Sequence, residues 1–310
     1  MASAKKIEEG NECIREAEKH LKTSLFKWKP DYDSAANEYS KAATCFKTVK
    51  AYEQCKDSLM RAADCYAKNR SYFSAAKSYE QAAFVCKDME DYPTVIHLIQ
   101  RACQLFREHG TPDTAAIVLE KGAKMVENKL PDRAIDLYNK AAEVAMLEDR
   151  PRQAAEYLCK SSRLLLKYRR YDEAAENMTR EYEYNLQGDN PAAAGRLIVA
   201  LVLVHLTRED YVAASKIYKE GGGYVEREET MVLTSLLDGY DQGDAEQMYY
   251  ALNHPFIKHM DVEYAKLARY LQASCMSNQS TTKAQDSAVT EAGGSQDDRH
   301  SDEEFSGGLL

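Results

Sequence analysis

The sequence predicts an all-α protein: an elongated solenoid of antiparallel helical hairpins, with about 20 residues per helix unit, followed by a small C-terminal helical bundle. A short motif recurs at this step through most of the 310-residue chain, as stacked supersecondary units require. The apolar residues inside each unit have helical spacing. The 7 prolines lie at predicted helix starts, where the missing N–H costs no hydrogen bond.

Residues 1–30 are predicted to form a capping helix and an apolar loop. Ala4–Lys22 has the apolar spacing of an amphipathic helix. In the loop that follows, Leu25, Phe26 and Trp28 lie among lysines. Two interpretations stay open: a staple buried between two helices, or a loop that contacts a membrane, because aromatic residues flanked by lysine suit an anionic lipid interface.

Residues 31–225 are predicted to form the repeat solenoid. The predicted helix starts are residues 32, 52, 72, 92, 112, 131, 151, 171, 191 and 211. Small residues fall near positions 4, 5, 11 and 12 of each unit and larger apolar residues near positions 8 and 15, as in Ala35, Ala36, Tyr39, Ala42, Ala43 and Phe46. These positions share one helix face, where small side chains let helices approach closely. Because one hairpin cannot bury that face alone, the units must stack.

Residues 226–275 lie outside the repeat register and are predicted to form the C-terminal bundle. Three helices are expected there, over Arg227–Tyr240, Gly243–Leu252 and Pro255–Ala273. They keep helical apolar spacing, so we expect them to pack on each other and on the end of the solenoid.

Residues 276–310 are predicted to be a disordered acidic tail, because they contain too few apolar residues to form a core. An acidic cluster near the end contains Asp302, Glu303 and Glu304, and the chain ends in Leu309-Leu310. A solubilising segment is the ordinary interpretation of such a tail. Terminal apolar residues gain nothing unless a partner buries them, so a segment that orders on binding is the alternative.

Several classes of function are disfavoured by composition and motifs. No phosphate-binding loop, dinucleotide fingerprint or zinc-binding helix motif occurs, so we expect no catalytic residue, no cofactor, no metal and no small-molecule substrate. The net charge of −9 argues against nucleic acid as a partner. The longest apolar run, Leu197 to Val204, is too short to span a bilayer, and the N-terminus lacks a signal-peptide pattern. A cytoplasmic protein with only peripheral membrane association is therefore predicted.

Three segments carry a resemblance to a known family: Lys27–Ala36, Gly110–Ala116, and the acidic ending followed by Phe305–Leu309. Together they resemble the gamma type of the soluble NSF attachment protein family. A hairpin of about 40 residues is also longer than the 34 of tetratricopeptide repeats, and this longer unit is typical of that family. The resemblance implies an adaptor that lies along the SNARE four-helix bundle, in several copies, and presents its C-terminal end to the hexameric NSF ATPase.

The resemblance also implies roles for particular residues. The apolar loop corresponds to a membrane-contacting loop made here of Leu25, Phe26 and Trp28. A penultimate leucine that helps stimulate the ATPase in the alpha type corresponds to Leu309, and we expect the acidic cluster of Asp302, Glu303 and Glu304 to share this ATPase contact. Candidates for SNARE contact are basic residues on one solenoid face, namely Lys121, Lys124, Lys160, Arg163 and Lys167. Lys160 matches a basic position of the alpha type, whereas Ile117 and Glu156 replace two others. An ordinary solvated helix face is the alternative for each basic residue.

A general tetratricopeptide-like scaffold that binds acidic peptide segments is the alternative function. It would need basic and amide side chains at repeated positions of the inner helices, where this repeat has mainly alanine and tyrosine. A helical enzyme subunit is the third possibility.

Overall fold

A computed structural model describes residues 2–23 and 28–274. Within those ranges the secondary structure is helical and contains no strand, which confirms the all-α prediction. The helices are α1 Ala2–Leu21, α2 Tyr32–Thr48, α3 Tyr52–Lys68, α4 Tyr72–Asp88, α5 Tyr92–Glu108, α6 Pro112–Val126, α7 Pro131–Leu147, α8 Pro151–Lys167, α9 Tyr171–Gln187, α10 Pro191–Thr207, α11 Tyr211–Gly221, a 3₁₀ helix Gly222–Tyr224, α12 Arg227–Gln242, α13 Ala245–Leu252, α14 Pro255–Lys258, and α15 over 262–274.

All but one of the turns between repeat helices share one geometry, which explains the regular step. In the α2–α3 turn, Lys50 adopts a left-handed conformation with φ of 60°. The next N–H, of Ala51, donates to the carbonyl of Phe46 at 2.9 Å, as in a Schellman ending. Left-handed residues occur at the same place in seven later turns: Arg70, Glu90, Gly110, Asp149, Arg169, Asp189 and Glu209. Helices α2 to α11 consequently begin at the ten predicted residues.

The single 19-residue step of the repeat lies at the α6–α7 turn. Helix α6 has 15 residues instead of 17. In the turn, Leu130 N–H donates to the Val126 carbonyl at 2.7 Å, and no residue of this turn has a positive φ. The step is shorter here because this turn has a different hydrogen-bond pattern from the others.

The repeat helices form two layers with a continuous apolar core between them. We call α2, α4, α6, α8 and α10 the even layer and the odd-numbered helices α1 to α11 the odd layer. Small residues at position 11 set the close approach of neighbouring helices. A Cβ on Gly122 of α6, for example, would lie 2.6 Å from the Ile99 side chain of α5.

The C-terminal helices pack on α10 and cover that end of the even layer. Val202 and Leu203 of α10 share a core with Leu233 of α12, while Leu201 belongs to the solenoid core together with Tyr264 of α15. Helix α10 is therefore buried on nearly all sides. Its apolar run, which has no interruption in the sequence, is explained by this double packing.

The prediction of one helix over Pro255–Ala273 is wrong. Helix α14 ends at Lys258, and α15 begins after a turn. The turn is capped by Asp261, whose carboxylate accepts a hydrogen bond from Glu263 N–H at 3.3 Å and whose carbonyl accepts one from Ala265 N–H at 3.0 Å. An aspartate at this position favours a new helix start over continuation. Among the described helices, none has the length and apolarity that crossing a membrane would require.

Candidate functional site

The buried carboxylate of Glu80 organises the first basic group of the even layer. Glu80 is only 4% exposed and accepts from Lys77 Nζ of its own helix at 2.9 Å and from Lys121 Nζ of α6 at 2.6 Å. Burial raises the pKa of Glu80, but the two lysine hydrogen bonds outweigh burial and leave the pKa below its usual value. Two lysines from neighbouring even helices are thereby fixed around one negative charge.

Glu120 of α6 repeats this arrangement one hairpin later. Its Oε1 accepts from Lys124 Nζ at 2.7 Å and from Lys160 Nζ of α8 at 2.6 Å. Here too burial raises the pKa of Glu120, and the two lysine hydrogen bonds lower it by more. Each glutamate therefore links two successive even helices.

The two groups form one feature, which we call the basic ladder. It consists of Lys77, Glu80, Lys121, Glu120, Lys124 and Lys160. Four lysines and two glutamates leave an excess of two positive charges. The lysine side chains remain partly exposed although they are paired, so their remaining N–H groups can reach a docked molecule.

The two remaining predicted basic residues lie further along α8. Arg163 pairs with Asp261, at the start of α15, at 3.0 Å, so this arginine ties the solenoid to the C-terminal helices. Lys167 places its ammonium group 5.8 Å from the ring centre of Tyr168. The structure thus brings three of the predicted residues, Lys121, Lys124 and Lys160, into the ladder and places Arg163 and Lys167 beyond it on α8.

Apolar side chains interrupt the basic surface of α4 and α6. Phe73, Phe84 and Ile117 are exposed, and the Phe73 ring meets the Phe106 ring edge to face at 5.4 Å. Lys77 lies over both of these rings. A surface that mixes exposed aromatic groups with fixed cations is suited to a protein partner, because apolar contact supplies affinity and charge supplies orientation.

Sequence reasoning missed Lys77, Glu80 and Glu120. A signal was present in the repeat: Glu80 precedes Lys121 by 41 residues and Glu120 precedes Lys160 by 40. An acid and a base separated by one hairpin lie on adjacent helices of the same layer. Pairing charges at this spacing would have predicted both contacts.

The other predicted sites are only partly described by the structure. Trp28 is 88% exposed, so its ring does not form a staple between α1 and α2. Leu25 and Phe26 lie outside the described residues. The tail residues Asp302, Glu303, Glu304 and Leu309 also lie outside them. In the part of the chain that the structure describes, no group of three or more histidine, cysteine, aspartate or glutamate side chains is arranged to hold a metal ion.

Comparison with known proteins identifies the family. Residues 8–254 match the family described as "Soluble NSF attachment protein, SNAP". The chain belongs to the SNAP family. A "Gamma-soluble NSF attachment protein" of Dictyostelium discoideum is 27% identical over 277 residues, covering 88% of this chain and 85% of the relative. One of Arabidopsis thaliana is 25% identical over 264 residues, covering 84% and 91%. The resemblance seen in the sequence is therefore confirmed.

Two further matches are weaker. An "Alpha-soluble NSF attachment protein" of Saccharomyces cerevisiae is 25% identical over 226 residues, covering 70% of this chain and 77% of the relative. Among solved structures, the apo form of RapI aligns with a TM-score of 0.40 at 12% identity, covering 91% of this chain and 99% of RapI.

Proposed function

We propose that this SNAP family member is a non-catalytic adaptor that binds SNARE complexes and recruits and stimulates the NSF ATPase. It acts in this way in vesicle fusion and intracellular membrane trafficking. Family membership supports the general role. The observation that carries the proposal for this chain is the basic ladder, which fixes four lysines on three successive even helices. An acidic helical bundle lying across that layer meets all of them.

The ladder contributes chiefly through orientation and rate of encounter. Its cations are partly exposed, so salt screens them over roughly 8–10 Å at ordinary ionic strength. Surface charge of this kind mainly raises the association rate and sets register. Phe73, Phe84 and Ile117 on the same layer supply apolar contact area. Because the lysines are held by glutamates, they lose little additional side-chain freedom on binding.

The test is a double substitution, Lys121→Ala with Lys124→Ala. Glu80 keeps Lys77 and Glu120 keeps Lys160 as partners, so no buried carboxylate loses all its lysines. The ladder's excess of positive charge falls to zero. We expect weaker binding to preformed SNARE complex at low salt, a shallower salt dependence, and slower disassembly when NSF and ATP are added.

The matched control is Lys129→Ala with Lys140→Ala, two exposed lysines outside the ladder. This pair changes the net charge equally and is expected to bind like the unmodified chain. An identical salt dependence for the ladder variant and the unmodified chain would place the SNARE contact on another surface.

We also propose that Leu25, Phe26 and Trp28 give peripheral contact with the membrane from the cytoplasmic side. The exposure of Trp28 and of the neighbouring Lys22 and Lys29 supports this, since an interfacial aromatic ring next to basic residues binds anionic lipid. Trp28→Ser should reduce association with anionic liposomes. Val212→Ser, which removes an apolar group that is 77% exposed on α11, is the control, and equal losses from the two variants would count against the loop.

The third element of the proposal is that Asp302, Glu303, Glu304 and Leu309 contact the ATPase. The support is the tail's acidic cluster followed by terminal apolar residues, together with family membership. Deleting residues 305–310 should leave SNARE binding intact and reduce NSF stimulation. Full stimulation by the shortened chain would exclude this contact.

A further inference from the structure

A groove of about 550 Å³ opens in the even layer between α8 and α10. It adjoins the basic ladder, because Lys160 lines both. Its floor comes from α9 of the odd layer, through Glu181 and Asn185. In α2 to α7, the position equivalent to Glu181 carries alanine or glycine, and the position equivalent to Asn185 carries an apolar or aromatic residue, as in Gly122 and Val126 of α6. The floor of the groove is therefore a local departure from the repeat.

Glu181 is buried in this floor with one oxygen unpaired. The residue is 7% exposed, and its Oε2 makes no hydrogen bond. Asn185 does not satisfy the carboxyl group, because its amide donates to the Glu181 backbone carbonyl at 2.9 Å and its side-chain oxygen accepts from Asn190 at 3.1 Å. An unpaired polar atom in a buried position costs free energy that a ligand can recover.

The charged surroundings of Glu181 are cationic at the rim of the groove. Arg152, Lys160 and Arg163 line it, against one further lining acid, Glu156, which is exposed. Outside the lining, Lys160 also pairs with Glu120 and Arg163 with Asp261, so Arg152 is the lining cation without a carboxylate partner among these contacts. Arg152 donates to backbone carbonyls of the α9–α10 turn. The lining contributed by residues 190 and 193, before and within α10, is uncharged. A cationic rim attracts an anionic group and repels a cationic one.

Titratable groups on two other elements interact with Glu181. Cys159 and Arg163 face it from α8, and Asp261 and Tyr264 lie next to that pair at the start of α15. Burial raises the pKa of Glu181 to about 8, and the Cys159 hydrogen bond and the Arg163 charge lower it by less. Burial also raises the pKa of Cys159 to about 12 and that of Tyr264 further above its usual value. Glu181 is therefore protonated at neutral pH, while Cys159 and Tyr264 keep their protons up to pH 9.

We propose that this groove receives an acidic side chain of the docked partner helix, which accepts a hydrogen bond from the protonated carboxyl group of Glu181 between Lys160 and Arg163. This inference rests on the proposed function. It names the kind of partner side chain that binds beside the basic ladder, in the groove between α8 and α10. Two carboxyl groups that share one proton form a stable pair, whereas two ionised ones repel. A lysine or arginine side chain would instead have to pass the cationic rim and displace the proton.

The test is SNARE-complex binding as a function of pH. If the partner binds only the protonated form of Glu181, the affinity of the unmodified chain should fall about tenfold between pH 7 and pH 9, since a group of pKa about 8 loses nine-tenths of its protonated population over that range. Glu181→Gln keeps an N–H donor of similar shape and cannot ionise. It should bind at pH 7 and lose this extra pH dependence.

Glu156→Gln is the matched control, because it removes an exposed carboxyl group from the same groove. It should keep the profile of the unmodified chain. Parallel pH profiles for the unmodified chain and Glu181→Gln, or an affinity that rises with pH, would overturn the inference. If the Lys121→Ala, Lys124→Ala variant binds at pH 7 with unchanged affinity, the proposed SNARE contact on the basic ladder is wrong. A failure of the proposed function is therefore distinct from a failure of the inference about Glu181.

Discussion

Replacing Glu181 by glutamine should raise the free energy of unfolding, and by more at pH 8 than at pH 5. The folded chain binds the Glu181 proton more tightly than the unfolded chain does, because the pKa rises from 4.5 to about 8 on folding. Between those pH values the unfolded state has already released the proton and the folded state retains it. Stability contributed by this residue therefore falls as pH rises from 4.5, and the fall ends above pH 8.

The size of this change in unfolding free energy follows from the change in the pKa of Glu181 on folding. Each unit of pKa difference corresponds to about 1.4 kcal/mol, so the loss approaches about 3 kcal/mol at pH 7 and at most about 5 kcal/mol above pH 8. Solvent screens little of this loss, since Glu181 is only 7% exposed. Glutamine has no titrating group, so the difference in unfolding free energy between the two proteins isolates residue 181.

The assay is urea unfolding followed by circular dichroism at pH 5, 6, 7 and 8. The difference between Glu181→Gln and the unmodified chain should grow steadily across the series. Glu156→Gln, which alters an exposed carboxyl group near the same groove, should show a small and constant difference. A Glu181→Gln difference that stays constant or shrinks as pH rises would show that the carboxyl group is solvated in solution and that the reasoning from burial is wrong.

Four further substitutions test the packing and the helix capping, each by the shift in urea midpoint. Gly195→Ala should destabilise severely, because a Cβ there would lie 2.0 Å from the Tyr224 carbonyl oxygen and backbone cannot move aside cheaply. Phe46→Ala, at a fully buried site, should cost about 3–5 kcal/mol, whereas Leu147→Ala, 71% exposed, should cost under about 0.5 kcal/mol. Asp210→Ala should cost about 0.5–2 kcal/mol by removing the cap of α11.

The repeat architecture was predictable because it depends on local patterns. Helix starts follow from tyrosine or proline in the first turn, and the core face follows from alternating small and large residues such as Ala35, Ala36 and Tyr39. These signals recur in nearly every unit, so an ambiguous unit inherits its register from its neighbours.

The features that were missed depend on contacts between distant units. Glu80 has the sequence context of an ordinary surface glutamate, and it is buried because Lys121 reaches it from the next hairpin. Glu181 lies where the repeat calls for a small residue, and only the arrangement of α8, α10 and α15 leaves its oxygen buried. Asp261 caps the start of a new helix, and this capping competes with a continuous apolar pattern that gave no sign of a break.

The left-handed turns have a consequence for how the solenoid comes apart. Seven of them place an ordinary side chain, such as Lys50 or Glu209, where glycine is the unstrained choice. Each of these residues lowers the free energy of unfolding by on the order of 1 kcal/mol relative to glycine. A glycine substitution would recover this free energy without altering an interhelical contact. The array therefore has, at almost every turn and at even spacing along its length, one residue whose replacement by glycine would stabilise that turn. Because each unit contacts only its neighbours, a glycine substitution at one turn would change where unfolding begins. A series of such variants would show whether the array unfolds first from the α1 end or from the α6–α7 turn.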